Sequence, residues 1–252
     1  MTAKGKAKTT KKAPAKKVPE IKEMTAIAIL CHFRTGSILL REVFVACGMV
    51  DCYREMGFGV GDINGVGNAL FHGFIKSPGK TVVEVLTLFK EAAASKEWRH
   101  YGVKIDHILQ AVCWEGVGAP FLSHWPDAKY VVSIRHPAGI LRSFERIRRD
   151  TPDQDPGLTD QQIVDSWLST HDATKLLIDK KDATVVVYPD FYQQDGINGV
   201  VKDLGLRWNK KADALLDKDI LEKSGVSIAE VKKFERKYPE AVKLFLEFLK
   251  HA

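Results

Sequence analysis

Four consecutive residues, Arg34, Thr35, Gly36 and Ser37, have side chains and spacing suited to binding an anion. The apolar run at 25–31 precedes them and a helical pattern follows, so the sequence predicts a strand, a tight turn and a helix. N–H groups at a helix N-terminus favour an anion by about 0.3–1 kcal/mol. Gly36 allows close approach of the backbone, and the Arg34 guanidinium suits phosphate or sulfate. These residues form a candidate anion site, and the alternative is a plain tight turn.

The turn does not have the sequence of an ordinary nucleotide-triphosphatase loop. In the pattern G-x-x-x-x-G-K-[ST], Cys31 stands in place of the first glycine and Ser37 in place of the lysine. The missing lysine argues against an ATPase or GTPase. A nucleoside or nucleotide kinase is the poorer alternative, because it also needs side chains that hold Mg²⁺.

A second candidate anion segment is KYVVSIRHPAGILRS, at 129–143. Arg135 directly follows an apolar strand pattern, and Ser143 lies eight residues further on, inside a predicted helix. An arginine at a strand end and a hydroxyl in the next helix can bind one phosphate from two sides. The alternative is that Arg135 forms a salt bridge and Ser143 is only solvated. Four more arginines are predicted to form a solvated basic face beside this segment: Arg142, Arg146, Arg148 and Arg149.

Short apolar runs alternate with amphipathic helical patterns along the chain. This alternation predicts an α/β fold with a mainly parallel central sheet and helices on both faces, in a single domain at 24–252. Ligands bind such sheets at the carboxyl ends of the strands, where Arg34, Lys104 and Arg135 emerge. The predicted strands are 25–31, 101–105, 129–134 and 183–188, and the predicted helices are 38–48, 81–98, 137–149, 159–180, 228–238 (with a capping box of Ser227 and Glu230) and 239–250.

The positive charge of the chain is concentrated in its first residues. The chain has 252 residues and a net charge of +6, and the segment 1–23 holds eight lysines and two glutamates, which accounts for the whole excess. This Lys-, Ala- and Pro-rich tail has no apolar periodicity, so we expect it to be disordered. It either contacts nucleic acid through salt-sensitive charge or serves as a solubilising extension.

Cysteine usage and hydropathy predict a cytoplasmic protein without a membrane span. The four cysteines form no C-x-x-C pair, which predicts reduced thiols and no metal site. The run at 25–31 is seven residues long, far short of the roughly 18 that a membrane span needs.

Three segments together resemble the sulfotransferases that use 3'-phosphoadenosine-5'-phosphosulfate (PAPS). RTGSILL is similar to that family's 5'-phosphosulfate loop, [RK]-[ST]-G-[ST]-[ST]-x-L, and WPDAKYVVSIRHPAGILRS is similar to its 3'-phosphate segment. YPDFYQQDGINGVVKDLGL is similar to its late Y-E-D-L…F-L-G-L segment. Three departures are Ile38 in place of a hydroxyl, Pro189 in place of a glutamate, and the lack of a C-terminal R-K-G segment. The pattern is closer to the bacterial or carbohydrate-type branches.

The resemblance implies a three-layer sandwich like that of P-loop NTPases, and PAPS as co-substrate without a metal. It implies transfer of a sulfuryl group to a hydroxyl or amine, on a small-molecule or carbohydrate acceptor. The residues implied in binding PAPS are Arg34, Thr35, Gly36, Ser37, Ile38, Arg135, Ser143 and Tyr188.

The chemistry also needs a group that stabilises developing charge and a base. Arg34 and the turn amides are the candidates for the first role. In GVKIDH, at 102–107, Lys104 could steady the leaving phosphate while Asp106 or His107 takes the acceptor's proton. Alternatively Asp106 only caps a helix and His107 is a surface histidine. A further alternative is a non-catalytic protein of this fold in which the lysine tail does the binding.

Overall fold

The computed structural model describes residues 24–55, 82–105, 125–180, 183–189, 194–216 and 226–252. Within these ranges the strands form one parallel sheet in the order β2-β3-β1-β4-β5. Strand β1, which leads into the candidate anion turn, therefore lies in the centre with β3 and β4 on either side. The strands are β1 (Thr25–Cys31), β2 (Val50–Asp51), β3 (His100–Ile105), β4 (Lys129–Arg135) and β5 (Ala183–Tyr188).

The helices of the described residues agree with the predicted helical segments. Three further helices, at 52–55, 194–203 and 210–213, have no predicted bounds. A capping box confirms the start of α8, because the Ser227 side chain accepts from the Glu230 N–H and the Glu230 carboxylate accepts from the Ser227 N–H. The helices are α1 (Ser37–Ala46), α2 (Cys52–Glu55), α3 (Val82–Ser95), α4 (Pro137–Asp150), α5 (Asp160–Lys180), α6 (Gln194–Asp203), α7 (Lys210–Asp213), α8 (Ile228–Lys237) and α9 (Pro239–Phe248).

Apolar side chains cover both faces of the sheet. On one face α3, α4, α5, α8 and α9 pack over alternate strand residues such as Ala28 and Val132. On the other face α1, α6 and α7 pack over Ile29, Val131 and Val186. Strands that are covered on both sides require continuous apolar runs, which is the pattern the sequence has. The predicted α/β class, a parallel central sheet with helices on both faces, is confirmed.

The described cysteines are free thiols. Cys31, Cys47 and Cys52 are buried thiols, and Cys113 lies outside the described residues. Among the helices that the structure describes, none is both long enough and apolar enough to cross a membrane. The described side chains also contain no cluster of three His, Cys, Asp or Glu that could hold a metal ion.

Candidate functional site

The turn between β1 and α1 has two residues in the left-handed region of backbone conformation. Arg34 has φ 62° and Gly36 has φ 78°. Glycine adopts this conformation readily, whereas an arginine with a Cβ is strained there by roughly 1–3 kcal/mol. Strained backbone conformations cluster at functional sites, so the conformation of Arg34 favours a functional role for this turn.

Three side-chain hydrogen bonds fix the carbonyl groups of the turn. Thr35 Oγ1 donates to the His32 carbonyl at 2.9 Å, and Ser133 Oγ donates to the Thr35 carbonyl at 2.9 Å. Arg135 Nη1 donates to the Arg34 carbonyl at 3.1 Å. Because the carbonyl and the next N–H of a trans peptide point in opposite directions, these bonds also orient the N–H groups of Thr35 and Gly36.

The Ser143 hydroxyl meets Arg34. Arg34 Nε donates to Ser143 Oγ at 2.9 Å, and Ser143 is buried in α4. The sequence prediction places Ser143 beside Arg135 on a phosphate, so the bond to Arg34 is an addition that the sequence did not indicate. It links the first turn to the helix that follows β4, and it brings both predicted anion segments to the same edge of the sheet.

Tyr188 lies between the two anion segments. Its ring faces the Arg135 guanidinium, with 5.0 Å from Arg135 Cζ to the ring centroid. The ring also packs on the turn so closely that a Cβ at Gly36 would stand 2.2 Å from Tyr188 Cδ2. Gly36 is therefore required for space as well as for its positive φ. Tyr188 fixes the position of β5 relative to the turn and supports Arg135 by a cation–π contact.

Burial and positive neighbours lower the pKa of both arginines. The pKa of Arg135 falls to about 10, chiefly through burial; Tyr188 opposes the shift, and Arg34, Arg146 and Arg142 add to it. Burial also lowers the pKa of Arg34, with a further contribution from Arg146, and Tyr188 opposes it. We call Arg34, Arg135, Arg142 and Arg146 the arginine cluster. Arg142 also lies 3.7 Å from Glu230, and the excess of positive charge that remains at this strand-end edge favours the binding of anions.

Two helices begin at this edge, and their first turns, both fully described, contain no acidic residue. Helix α1 begins after Gly36, which has no side chain to cap it. Helix α4 begins after His136, whose Nδ1 accepts from the Ala138 N–H at 3.2 Å. Burial lowers the pKa of His136, which favours the neutral ring that this acceptor role requires. The positive ends of two helix dipoles thus point to the region of the arginine cluster.

Lys104 lies further from the carboxyl-terminal edge of the sheet than Arg135 does. It is in register with Ile29 of β1, and Ile29 is in register with Val131 of β4. Arg135 is four residues beyond Val131, which corresponds to about 13 Å along the strand. By strand alternation Lys104 is on the same sheet face as α1, and its side chain is half-buried. The structure therefore places Lys104 on the sheet face that α1 covers, but not as far along the strand direction as Arg135.

Of the remaining predicted site residues, some lie in the turn and others lie outside the residues that the structure describes. Ser37 and Thr35 are buried in the turn, and Ile38 is 57% exposed beside it. Asp106 and His107, the predicted bases, lie outside the described residues, as does the lysine tail.

Sequence reasoning did not select two residues that shape the site. Ser133 bonds the turn, and its signal is a single hydroxyl inside the apolar run YVVSI. Gly139 lies against the Arg135 side chain, where a Cβ would stand 2.7 Å from Arg135 Nε. A glycine in the first turn of a helix, four residues after an arginine, could have suggested this contact.

Comparisons with known proteins find similarity to solved structures. No family model and no curated protein matches the chain. Eight chains of solved structures match, among them the sulfotransferase domain from the Synechococcus PCC 7002 olefin synthase. That match covers 82% of this chain and 83% of the other, with 18% identity and a TM-score of 0.44. At this level of similarity the likeness carries no functional argument, and the function rests on the site itself.

Proposed function

We propose that this chain transfers a sulfuryl group from PAPS to a hydroxyl or amine on a small-molecule or carbohydrate acceptor. The observation that carries the proposal is the hydrogen bond of 3.1 Å from Arg135 Nη1 to the Arg34 carbonyl. It joins two arginines at the carboxyl ends of neighbouring parallel strands, which is where α/β sheets bind ligands.

A ligand with two separated anionic groups suits this pair of arginines. Burial and positive neighbours disfavour the charged form of both Arg34 and Arg135, and a bound anion would offset that effect. PAPS has a 5'-phosphosulfate, which would occupy the turn, and a 3'-phosphate, which would occupy the Arg135 side. The Arg34–Ser143 hydrogen bond connects the two positions, which supports one ligand that spans both.

The reaction breaks the bond between sulfur and the bridging phosphate oxygen as the acceptor atom bonds to sulfur. Negative charge develops on that bridging oxygen, so the Arg34 guanidinium and the turn amides would stabilise the transition state. Asp106 or His107 would take the acceptor's proton, and Lys104 would steady the leaving adenosine 3',5'-bisphosphate. The roles of these last three residues stay predictions from the sequence.

The test compares melting temperatures of the full chain with adenosine 3',5'-bisphosphate and with ATP. We expect the bisphosphate to raise the melting temperature, because a ligand that binds only the folded state stabilises it. Arg135→Ala and Ser143→Ala should each remove that increase. Stabilisation by ATP but not by the 3'-phosphorylated nucleotide would contradict the proposal. Magnesium-dependent turnover of ATP would favour the kinase alternative instead.

Deletion of residues 1–23 separates the enzyme from a tail-driven binder. An enzyme should keep its nucleotide affinity without the tail, whereas a protein that works through its lysines should lose a nucleic-acid partner. We also propose that the lysines of residues 1–23 can contact nucleic acid. We also retain a cytoplasmic location, which is supported by the three buried thiols at Cys31, Cys47 and Cys52.

A further inference from the structure

Gly139, in the first turn of α4, allows the Arg135 side chain to lie directly against the helix. A Cβ at position 139 would be 2.7 Å from Arg135 Nε and 3.4 Å from Arg135 Cζ. Real Cβ atoms essentially never approach another atom within 3.0 Å, so a larger residue would displace the guanidinium or the helix. Gly139 lies within a regular helix, and the need is therefore for space rather than for an unusual φ.

Two other contacts hold the guanidinium from different directions. The Tyr188 ring centroid lies 5.0 Å from Arg135 Cζ, and the Arg34 carbonyl accepts from Arg135 Nη1 at 3.1 Å. Arg135 is only 7% exposed, so its side chain has little room for another rotamer. We call this arrangement of Gly139, Tyr188 and the Arg34 carbonyl the Arg135 slot.

We propose that Gly139 is a specificity-determining positioning residue, which holds the Arg135 guanidinium in the orientation that binds the second phosphate of a doubly phosphorylated adenosine. The inference rests on the proposed function and deepens it. Gly139 touches no ligand itself and acts through Arg135.

The physical reason is the directionality of guanidinium–phosphate bonds. An arginine binds phosphate through N–H groups in a rigid fork, so a rotation of the fork loses bonds that a point charge would keep. Glycine is also a poor helix former compared with alanine. Its presence at the helix position that faces Arg135 is explained by the space that the guanidinium occupies.

The experiment measures dissociation constants of adenosine 3',5'-bisphosphate and adenosine 5'-monophosphate for the full chain and for Gly139→Ala. We expect the bisphosphate affinity to fall by about tenfold or more, as for the loss of a charge-assisted hydrogen bond. The monophosphate affinity should stay within about twofold. The matched control is Gly199→Ala in α6, an exposed helical position where a Cβ meets nothing within 4 Å, and it should change neither constant.

A double-mutant cycle separates positioning of Arg135 from a general structural effect. In an Arg135→Ala background, Gly139→Ala should have no further effect on bisphosphate affinity, because its target is gone. A Cβ at 139 would also stand 3.0 Å from Val226 Cγ2, and that contact affects stability in both backgrounds. If Gly139→Ala does not fold, the double variant with Val226→Ala relieves the second contact and carries the same test.

Three results would overturn the inference: an unchanged bisphosphate affinity, an equal loss for both nucleotides, or the same effect in the Arg135→Ala background. Failure of the proposed function gives a different pattern. In that case the unmodified chain does not prefer the bisphosphate to the monophosphate, and the inference about Gly139 falls with it.

Discussion

Arginines gather at two places, and the pKa values of Arg54 at the first and Arg135 at the second move in opposite directions. The pKa of Arg54 is raised, chiefly by hydrogen bonds to Glu42. The pKa of Arg135 is lowered to about 10, chiefly by burial and further by other arginines, although Tyr188 opposes the shift. At the first place carboxylates neutralise the guanidinium groups. At the second, the charges that act on Arg135 come from other arginines, one of which, Arg142, also lies 3.7 Å from Glu230.

The first place is a network of Arg41, Glu42, Asp51 and Arg54, which we call the paired network. Arg41 Nη2 lies 2.7 Å from Glu42 Oε1, and Arg54 Nη1 lies 2.9 Å from Glu42 Oε2. Asp51 Oδ2 is 3.5 Å from the Nε atoms of both arginines. The network ties α1 to β2 and α2 at one edge of the sheet. Its charges are balanced by the protein's own carboxylates.

The comparison separates arginines that the protein's own carboxylates neutralise from those that we propose bind a ligand. The charges of the paired network balance one another in ion pairs within the protein. The arginine cluster brings positive charge to the ends of β1 and β4, where two helices also direct their positive dipole ends. Arg135 is the buried member of the cluster, and its burial beside other positive charges is unfavourable for folding alone, which favours the proposed anionic ligand.

The largest expected effect is that of Arg34→Ala on turnover. Removal of a donor that stabilises developing charge costs about 2.7–4 kcal/mol, or roughly a hundred- to thousandfold in kcat. Arg34→Gly should be equally inactive but more stable than Arg34→Ala by about 1–2 kcal/mol, because only glycine fits φ 62° without strain. Sulfate-transfer assays and urea unfolding measure these quantities. Turnover that survives in either variant would contradict the role of Arg34.

Glu42→Ala should show the opposite effect, on stability and not on ligand selectivity. It removes a carboxylate from two arginines, one of them buried, which we expect to cost about 1–3 kcal/mol in the free energy of unfolding. The preference for adenosine 3',5'-bisphosphate over the monophosphate should be unchanged. Glu235→Ala on the exposed side of α8 is the control. A loss of selectivity in Glu42→Ala would break the distinction between the two arginine groups.

A third prediction concerns His136, which caps the helix next to Arg135. Burial lowers its pKa in the folded state, so the unfolded chain takes up the proton more readily. The neutral His136 ring therefore contributes to stability above the ordinary histidine pKa of about 6.5. That contribution is lost as the pH falls from there towards the lower pKa of His136 in the folded state. Protonation removes a cap whose loss typically costs about 1 kcal/mol.

His136→Asn keeps an acceptor at the cap without the titration. Its melting temperature should therefore depend less on pH between about 7.5 and 5 than that of the unmodified chain. Parallel curves for the two proteins would show that the His136 ring does not titrate with unfolding.

The smallest expected effect is that of Ile38→Thr. Ile38 is 57% exposed beside the turn, so its replacement should change stability by less than about 0.5 kcal/mol. A hydroxyl at this position would restore a phosphate contact and tighten adenosine 3',5'-bisphosphate by about two- to tenfold, the equivalent of one net hydrogen bond. Ile38→Val is the control without a hydroxyl. Equal affinities for the two variants would place residue 38 away from the phosphate.

The main strands and helices could be predicted from sequence, because their apolar runs are long enough to be distinctive. The strand predicted at 129–134 extends by one residue to Arg135, and the strand predicted at 101–105 begins at His100. β2 has two residues and α7 has four, and neither length carries a periodic signal. The candidate anion segments could be located because each follows a predicted strand directly.

The contacts between those segments could not be predicted. The Arg34–Ser143 bond depends on the left-handed backbone of Arg34, and no local propensity favours that conformation for arginine. The position of Lys104 depends on the register of β3 with β1, which is set by the packing of the whole sheet. The space at Gly139 is visible only once α4 is docked beside Arg135.

The most direct test of the central claim is a crystal structure of the chain with adenosine 3',5'-bisphosphate. The account predicts the 5'-phosphate at the amides of Thr35 to Ser37 and the 3'-phosphate within about 3.2 Å of the Arg135 guanidinium. A nucleotide bound elsewhere, or one whose 3'-phosphate points away from Arg135, would contradict it.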